Sequence, residues 1–193
     1  MWDFFYNPPE MVATATGIVS VILSWKKSIY TYLFGLISVS IYVCLCYRAG
    51  IYADMAINIF YFVMSIYGWI NWRKLMKLSH AFIPQTLTRK NHFFYMLLTL
   101  FFWAGIYVIL IRFTDSNIPL ADAFTTAFFS TGMILMAFKY TENWIYLVIG
   151  NVVSVPLYIY KELYVSSFFF VILAIFGTLG YFSWKKEIKT KTL

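Results

Sequence analysis

Gly68-Trp69-Ile70-Asn71-Trp72-Arg73-Lys74 and Gly180-Tyr181-Phe182-Ser183-Trp184-Lys185-Lys186 carry one pattern, Gly-x-x-x-Trp followed by two basic residues, 112 residues apart. Each closes an apolar run that opens with a matched pair at the same offset, Ile51-Tyr52 against Leu163-Tyr164. Two matches that hold one offset across a whole helix length point to a duplicated unit. A further match, Ser38-Val39-Ser40-Ile41-Tyr42 against Ser154-Val155-Pro156-Leu157-Tyr158, links two other apolar runs.

Working outward, the runs between charges, Gly and Pro number seven, near residues 10–25, 29–47, 51–72, 92–112, 118–138, 143–160 and 164–184. Of the 193 residues, 62% are hydrophobic and 12% charged, where a soluble domain carries about 25% charge. A bilayer crossing needs about 20 apolar residues, so seven crossings leave no room for a soluble enzymatic domain. The reading is an all-α polytopic membrane protein, with two parallel three-helix repeats around a linking helix. The repeats occupy residues 10–72 and 118–184, the polar loop and linking helix 73–117, and a basic tail 185–193. Arg73 to Asn91, with Pro84, reads as a linker. In such parallel arrangements a transported solute sits near the midplane between the halves.

Charge sets the expected orientation. With the N-terminus outside, twelve Lys/Arg fall on inner segments and three, Arg48, Arg112 and Lys161, on outer ones, so N-out and C-in follows from the inner excess of positive charge. The same rule accounts for the net charge of +7 without a nucleic-acid partner. Met1 to Pro9 lacks the basic stretch of a cleaved leader, so the first run is expected to be retained. Cys44 and Cys46 lie two apart, on roughly opposite sides of a helix, and His80 and His92 have no ligand partner at metal spacing. Neither a disulfide, a metal nor a cofactor is expected.

Polar residues inside a membrane cost free energy and mark function or helix contact. Asp54, Asn58, Tyr61, Ser65, Gly68 and Trp72 recur at steps of four and three, on one stripe of the third run. Trp144, Val148, Asn151, Val155 and Tyr158 share a face of the sixth, where Gly150 and Pro156 loosen the backbone. Asn58 and Asn151 are the leading site candidates, because an amide offers two donors and an acceptor that must all be matched. Ser65 stands open between ligand contact and helix packing. Thr125, Thr126, Ser130, Thr131 and Gly132, and Thr14, Thr16 and Gly17, are expected mainly at helix contacts.

The chain has 43 aromatic residues. Tyr61, Tyr67, Trp69, Trp144 and Tyr158 are site candidates that would line ring faces beside the amides, suited to a flat and preferably cationic heteroaromatic solute. Trp72 and Trp184, beside basic ends, are expected as interfacial anchors. No mid-membrane Lys is available for a retinal Schiff base, no mid-membrane carboxylate for a proton relay, and no nucleophile set for membrane enzymology.

Gly50-Ile51-Tyr52-Ala53-Asp54 with Asn58, Tyr61 and Ser65-Ile66-Tyr67-Gly68-Trp69-x-x-Trp72 resembles the third core helix of the PnuC family of bacterial vitamin transporters. Glu142-Asn143-Trp144 with Asn151 and Pro156-Leu157-Tyr158 is similar to its sixth. The resemblance spans nearly the whole chain. It implies a fold related to the SWEET sugar transporters, in the bacterial inner membrane, and facilitated diffusion of a water-soluble vitamin trapped inside by phosphorylation. It also implies a homo-oligomer, commonly a trimer. Nicotinamide riboside members resemble one another in a Trp-x-x-Trp pair on the sixth helix, where this chain has Trp144 and Leu147. That departure leaves thiamine and nicotinamide riboside side by side, with riboflavin third. Outside transport, the alternative is a membrane sensor or assembly subunit.

Overall fold

The computed structural model describes residues 8–50, 52–79 and 83–192. Ile51 and His80, used above, lie outside them, as do Met1 to Asn7. The described residues form seven helices: α1 (Pro8–Trp25), α2 (Tyr30–Ala49), α3 (Tyr52–Ser79), α4 (Arg89–Phe113), α5 (Pro119–Ala137), α6 (Asn143–Tyr160) and α7 (Tyr164–Thr192). Five of the seven, α2 and α4 to α7, contain segments long and apolar enough to cross a membrane. α1 begins with two prolines and a glutamate, and α3 carries Asp54, Asn58 and Asn71 along its length.

Helix ends follow local chemistry. Gly50, at φ 72°, closes α2 in the left-handed region and donates its N–H to the Cys46 and Tyr47 carbonyls, a conformation that costs glycine nothing. Thr88 caps α4 by accepting the Asn91 N–H, and Pro119 opens α5, where its missing N–H has no partner to lose. α3 and α7 run past the expected ends at residues 72 and 184. Charges such as Arg73 and Lys74 end the stretch that lipid can cover, but in water they are good helix formers. Residues 73–79 and 89–91 of the 73–91 segment are therefore helix, and the described residues just before α4 are tied down. Gln85 donates its N–H to the Lys139 carbonyl and accepts from the Thr141 N–H, at 2.9 and 2.8 Å.

Sequential helices pack side by side, α1 on α2 on α3 and α4 on α5 on α6 on α7, and the bundle closes through α1 on α7 and α3 on α5. The α4 backbone packs along α3 and α5, and its Thr99 also reaches the Tyr146 hydroxyl of α6. Its flank is open and apolar, with Phe93, Phe94 and Phe101 all exposed.

Contacts recur between residues 112 apart. The Trp72 Nε1–H donates to the Met136 carbonyl at 2.9 Å, and the Trp184 Nε1–H donates to the Ser24 carbonyl at 3.1 Å. Those carbonyls also accept the N–H of Lys139 and Lys27, two residues held at φ 61°. A Cβ on Gly68 would meet the Tyr32 ring at 2.5 Å, and one on Gly180 would meet the Trp144 ring at 2.5 Å. Tyr32 meets Trp72 edge-on at 87°, and Trp144 meets Trp184 likewise at 87°. Elsewhere the glycine changes sides of the contact. Gly17 faces Ser38, whereas Phe129 faces Gly150.

Two expectations are corrected here. Trp72 and Trp184 are not interfacial anchors, since both are 0% exposed and their rings meet at 5.7 Å in the core. The absent side chains of Gly68 and Gly180 let Tyr32 and Trp144 lie close to the helix backbones, and the tryptophans one turn on complete the cluster. Secondly, the counterpart of Ser38 in these contacts is Gly150. The match of Ser38 to Ser154 is one helical turn out of step, an error that a face of small residues recurring every turn invites.

Candidate functional site

A cavity of about 310 Å³ lies inside the bundle. Six helices line it and α4 contributes nothing. α2 and α6 both border it while their backbones stay apart among the described residues, so the space is the gap between them. Its basic end is closed by the buried cluster of Tyr32, Trp72, Trp144, Trp184 and Met136.

Most hydroxyls on its wall already have partners. Ser20 Oγ donates to the Thr31 carbonyl and Thr31 Oγ1 to the Ser20 carbonyl, at 2.8 and 2.9 Å. Ser38 Oγ donates to the Ala13 carbonyl at 2.7 Å. Two groups do not. Asn151 is 5% exposed and its Oδ1 has no hydrogen-bond partner; Trp144 is 1% exposed and its Nε1–H has none either. Both side chains line the cavity. A buried polar group left unmatched costs about 1–3 kcal/mol, so an unmatched acceptor and an unmatched donor on two residues of one cavity wall suit a solute that offers both. Tyr61, Ser65, Phe129 and Phe170 add ring faces and a hydroxyl.

A second cavity, of about 580 Å³, opens at the opposite end of the bundle from the basic residues of α3 and α7. Asp54, Asn58, Asp122, Ser154, Tyr158 and Lys161 are among its walls. Tyr61, Phe129 and Phe170 line both spaces and form the partition between them. Lys161 Nζ binds Asp122 Oδ1 at 2.6 Å, and Ser116 Oγ binds Asp122 Oδ2 at 2.6 Å.

The sequence candidates thus divide. Tyr61, Ser65, Trp144 and Asn151 meet in the inner cavity. Asn58 and Tyr158 stand in the outer one, and Asn58 Nδ2 donates to the Asp54 carbonyl at 2.9 Å within its own helix. Asn58 and Asn151 therefore do not share one space. Tyr67 and Trp69 line neither cavity; they are 43% and 38% exposed, and Tyr67 packs on Phe138. In α5, Thr131 bonds Thr99 at 2.9 Å and Gly132 packs under Leu147, as helix contacts should. Thr14 likewise bonds Tyr42 at 3.0 Å. Tyr32 and the small residues of α1 and α2 were missed. Extending the 112-residue offset back from Trp144 would have found Tyr32.

A family model described as "Nicotinamide mononucleotide transporter" matches residues 7–186. The chain belongs to this family, that of the PnuC transporters. Among similar proteins, the nicotinamide riboside transporter PnuC of Neisseria mucosa is 26% identical over 96% of this chain and 76% of its own length. That of Escherichia coli K12 is 26% identical over 91% of this chain and 84% of its own. A solved structure, the "Crystal structure of the Vitamin B3 transporter PnuC", superposes with a TM-score of 0.75 at 26% identity. It covers 97% of this chain and 86% of that one. The PnuC resemblance read from the sequence is borne out, and this chain is a multi-pass inner-membrane transporter rather than an enzyme.

Proposed function

We propose that this PnuC-family chain carries out facilitated diffusion of nicotinamide riboside, or a closely similar cationic vitamin, through the inner cavity. The observation that carries the reading is the buried pair of unmatched groups, Asn151 Oδ1 and Trp144 Nε1–H, in a space bordered by rings. A carboxamide can give one of its two N–H groups to such an acceptor and take such a donor at its oxygen, and a positively charged pyridinium gains from ring faces by roughly 1–2 kcal/mol. The names of the relatives point to the same solute.

The proposed frame is two parallel three-helix units, residues 10–72 and 118–184, joined through 73–117, with the N-terminus outside and the tail 185–193 inside. The paired contacts 112 residues apart support the duplication, and the Lys/Arg distribution supports the orientation. Rocking of one unit against the other alternates access, and phosphorylation inside the cell traps the product. A homo-oligomer is part of the proposal, and native mass spectrometry from lipid nanodiscs tests it.

Thiamine is the second reading, and Leu147 is the observation that favours it. This side chain lines the cavity against Gly132, where the Trp-x-x-Trp resemblance has a second indole, so the pocket is reshaped at that wall. Counterflow in proteoliposomes decides. Wild-type protein exchanges labelled nicotinamide riboside, and Asn151→Ala lowers the exchange at least tenfold. Exchange of thiamine alone would replace the first reading with the second, and exchange of neither would refute both.

A further inference from the structure

The outer cavity is more than an approach to the inner one. Its walls carry three carboxylates, Asp54, Asp115 and Asp122, against one cation, Lys161. Lys161 and Ser116 occupy both oxygens of Asp122. The Asp54 carboxylate has no hydrogen bond or ion pair among the described residues. A negatively charged recess in a chain of net charge +7 has a direction: it attracts cations and repels anions.

A second, independent feature points to a ligand. Ser154 is 1% exposed, lines this cavity, and its Oγ has no partner. A hydroxyl on a membrane helix ordinarily bonds a carbonyl of the preceding turn, as Thr99 and Ser40 do here at 2.8 and 2.7 Å. Ser154 does not. The rings of the recess already accept a positive charge, because Lys161 Nζ stands 5.6 Å from the Tyr158 ring centroid, within cation–π range. The Phe170 ring packs against Tyr158 at 4.7 Å and also borders the inner cavity. No group of three or more His, Cys, Asp and Glu side chains among the described residues could hold a metal ion, so an organic cation suits the recess better than an inorganic one.

We propose that the outer cavity is a second binding site in series with the first, for the flat cationic ring of an organic solute. The Asp54 carboxylate is its counter-ion and the Ser154 hydroxyl its buried hydrogen-bond partner. This deepens the transport reading: a cationic vitamin is captured here, selected by charge, and passed across the partition of Tyr61, Phe129 and Phe170. Charge selection at the mouth leaves the inner site free to recognise shape and amide pattern.

The test uses the full chain in detergent and saturation-transfer NMR titrations with two simple probes, the 1-methylnicotinamide cation and neutral nicotinamide. Wild-type protein should bind the cation about tenfold more tightly than the neutral amide, and more weakly as salt is added. Asp54→Asn should erase that preference, Asp54→Glu should restore most of it, and Ser154→Ala should weaken the cation about threefold. Asn151→Ala should leave the preference within twofold while abolishing binding of nicotinamide riboside. A preference that survives Asp54→Asn overturns the proposal, as does one lost equally in Asn151→Ala, which would put the cation in the inner cavity. If Asp54→Asn does not fold, the salt series and Ser154→Ala decide in its place. Should wild-type protein ignore the riboside yet keep an Asp54-dependent preference, the outer site stands and the transport reading falls.

Discussion

Replacing Gly180 by alanine tests the link between the aromatic cluster and the inner cavity. The new Cβ would lie 2.5 to 2.6 Å from Cε2, Cδ2 and Cζ2 of Trp144, closer than atoms tolerate, so the indole must move. On its other sides it is held: it is 1% exposed and meets Trp184 edge-on at 5.6 Å. The free volume beside it is the 310 Å³ cavity that it lines. Overpacking of this kind costs about 1–3 kcal/mol, and alanine returns up to about 1 kcal/mol of helix preference. A net loss of about 1–2 kcal/mol corresponds to a factor of 5 to 30. Because the indole yields into the cavity, that loss should fall on riboside affinity more than on the melting temperature. Gly105→Ala is the control, since nothing lies within 4 Å of its added Cβ, and it should match wild type in affinity. Binding by titration calorimetry with melting by scanning fluorimetry reads both quantities. Wild-type affinity and stability for Gly180→Ala would refute the reasoning. A double variant with Trp144→Leu should recover stability without recovering affinity.

Other outcomes follow from the same contacts. Trp184→Phe removes the Nε1–H bond to the Ser24 carbonyl and should cost about 1 kcal/mol, read as a lower melting temperature, with Trp72→Phe costing a similar amount at Met136. Asn58→Ala should leave riboside affinity within about threefold, because Asn58 stands outside the inner cavity, whereas Asn151→Ala should lose tenfold or more in the same titration. Lys161→Gln leaves Asp122 without its cation and should tighten binding of the methylnicotinamide cation at low salt; unchanged affinity would count against charge capture. Equilibration of riboside into vesicles should not respond to imposed proton or sodium gradients, and gradient-driven accumulation without a kinase would exclude uniport.

Much of the fold was legible because membrane helices announce themselves by length and charge. The seven expected runs coincide with the helices to within a few residues, except where α3 and α7 continue into water. Hydropathy marks where lipid stops, and the helix stops where its backbone does. Of the α6 face read from the sequence, Trp144 and Asn151 line the inner cavity, Tyr158 lines the outer one, and Val148 and Val155 line a separate groove against α7. A helical wheel gives direction but not depth, however. Asn58 and Ser65 lie on one stripe of α3, yet Tyr61 between them is part of a partition, so the two residues face different cavities. Trp72 was misread because a neighbouring Arg-Lys pair is the mark of an interface. What buries it is Tyr32, seated against Gly68 from another helix, and single-helix reasoning cannot see that contact. Asp54 and Ser154 gained significance only when α3 and α6 were found on one recess.

The two tryptophan bonds that cross the middle of the molecule end on main-chain carbonyls, at Ser24 and Met136. A seam written in carbonyls does not depend on which side chain stands at the accepting position, and these two residues illustrate it by having little in common. The bonds from α3 to α5 and from α7 to α1 can therefore outlast changes in the side chains that these helices turn toward the cavity. Both accepting residues are buried, at 1% and 8% exposed, so size-matched exchanges such as Ser24→Ala and Met136→Leu should keep the melting temperature close to wild type while shifting solute affinity. A chain built this way can change what it carries and keep how it is assembled.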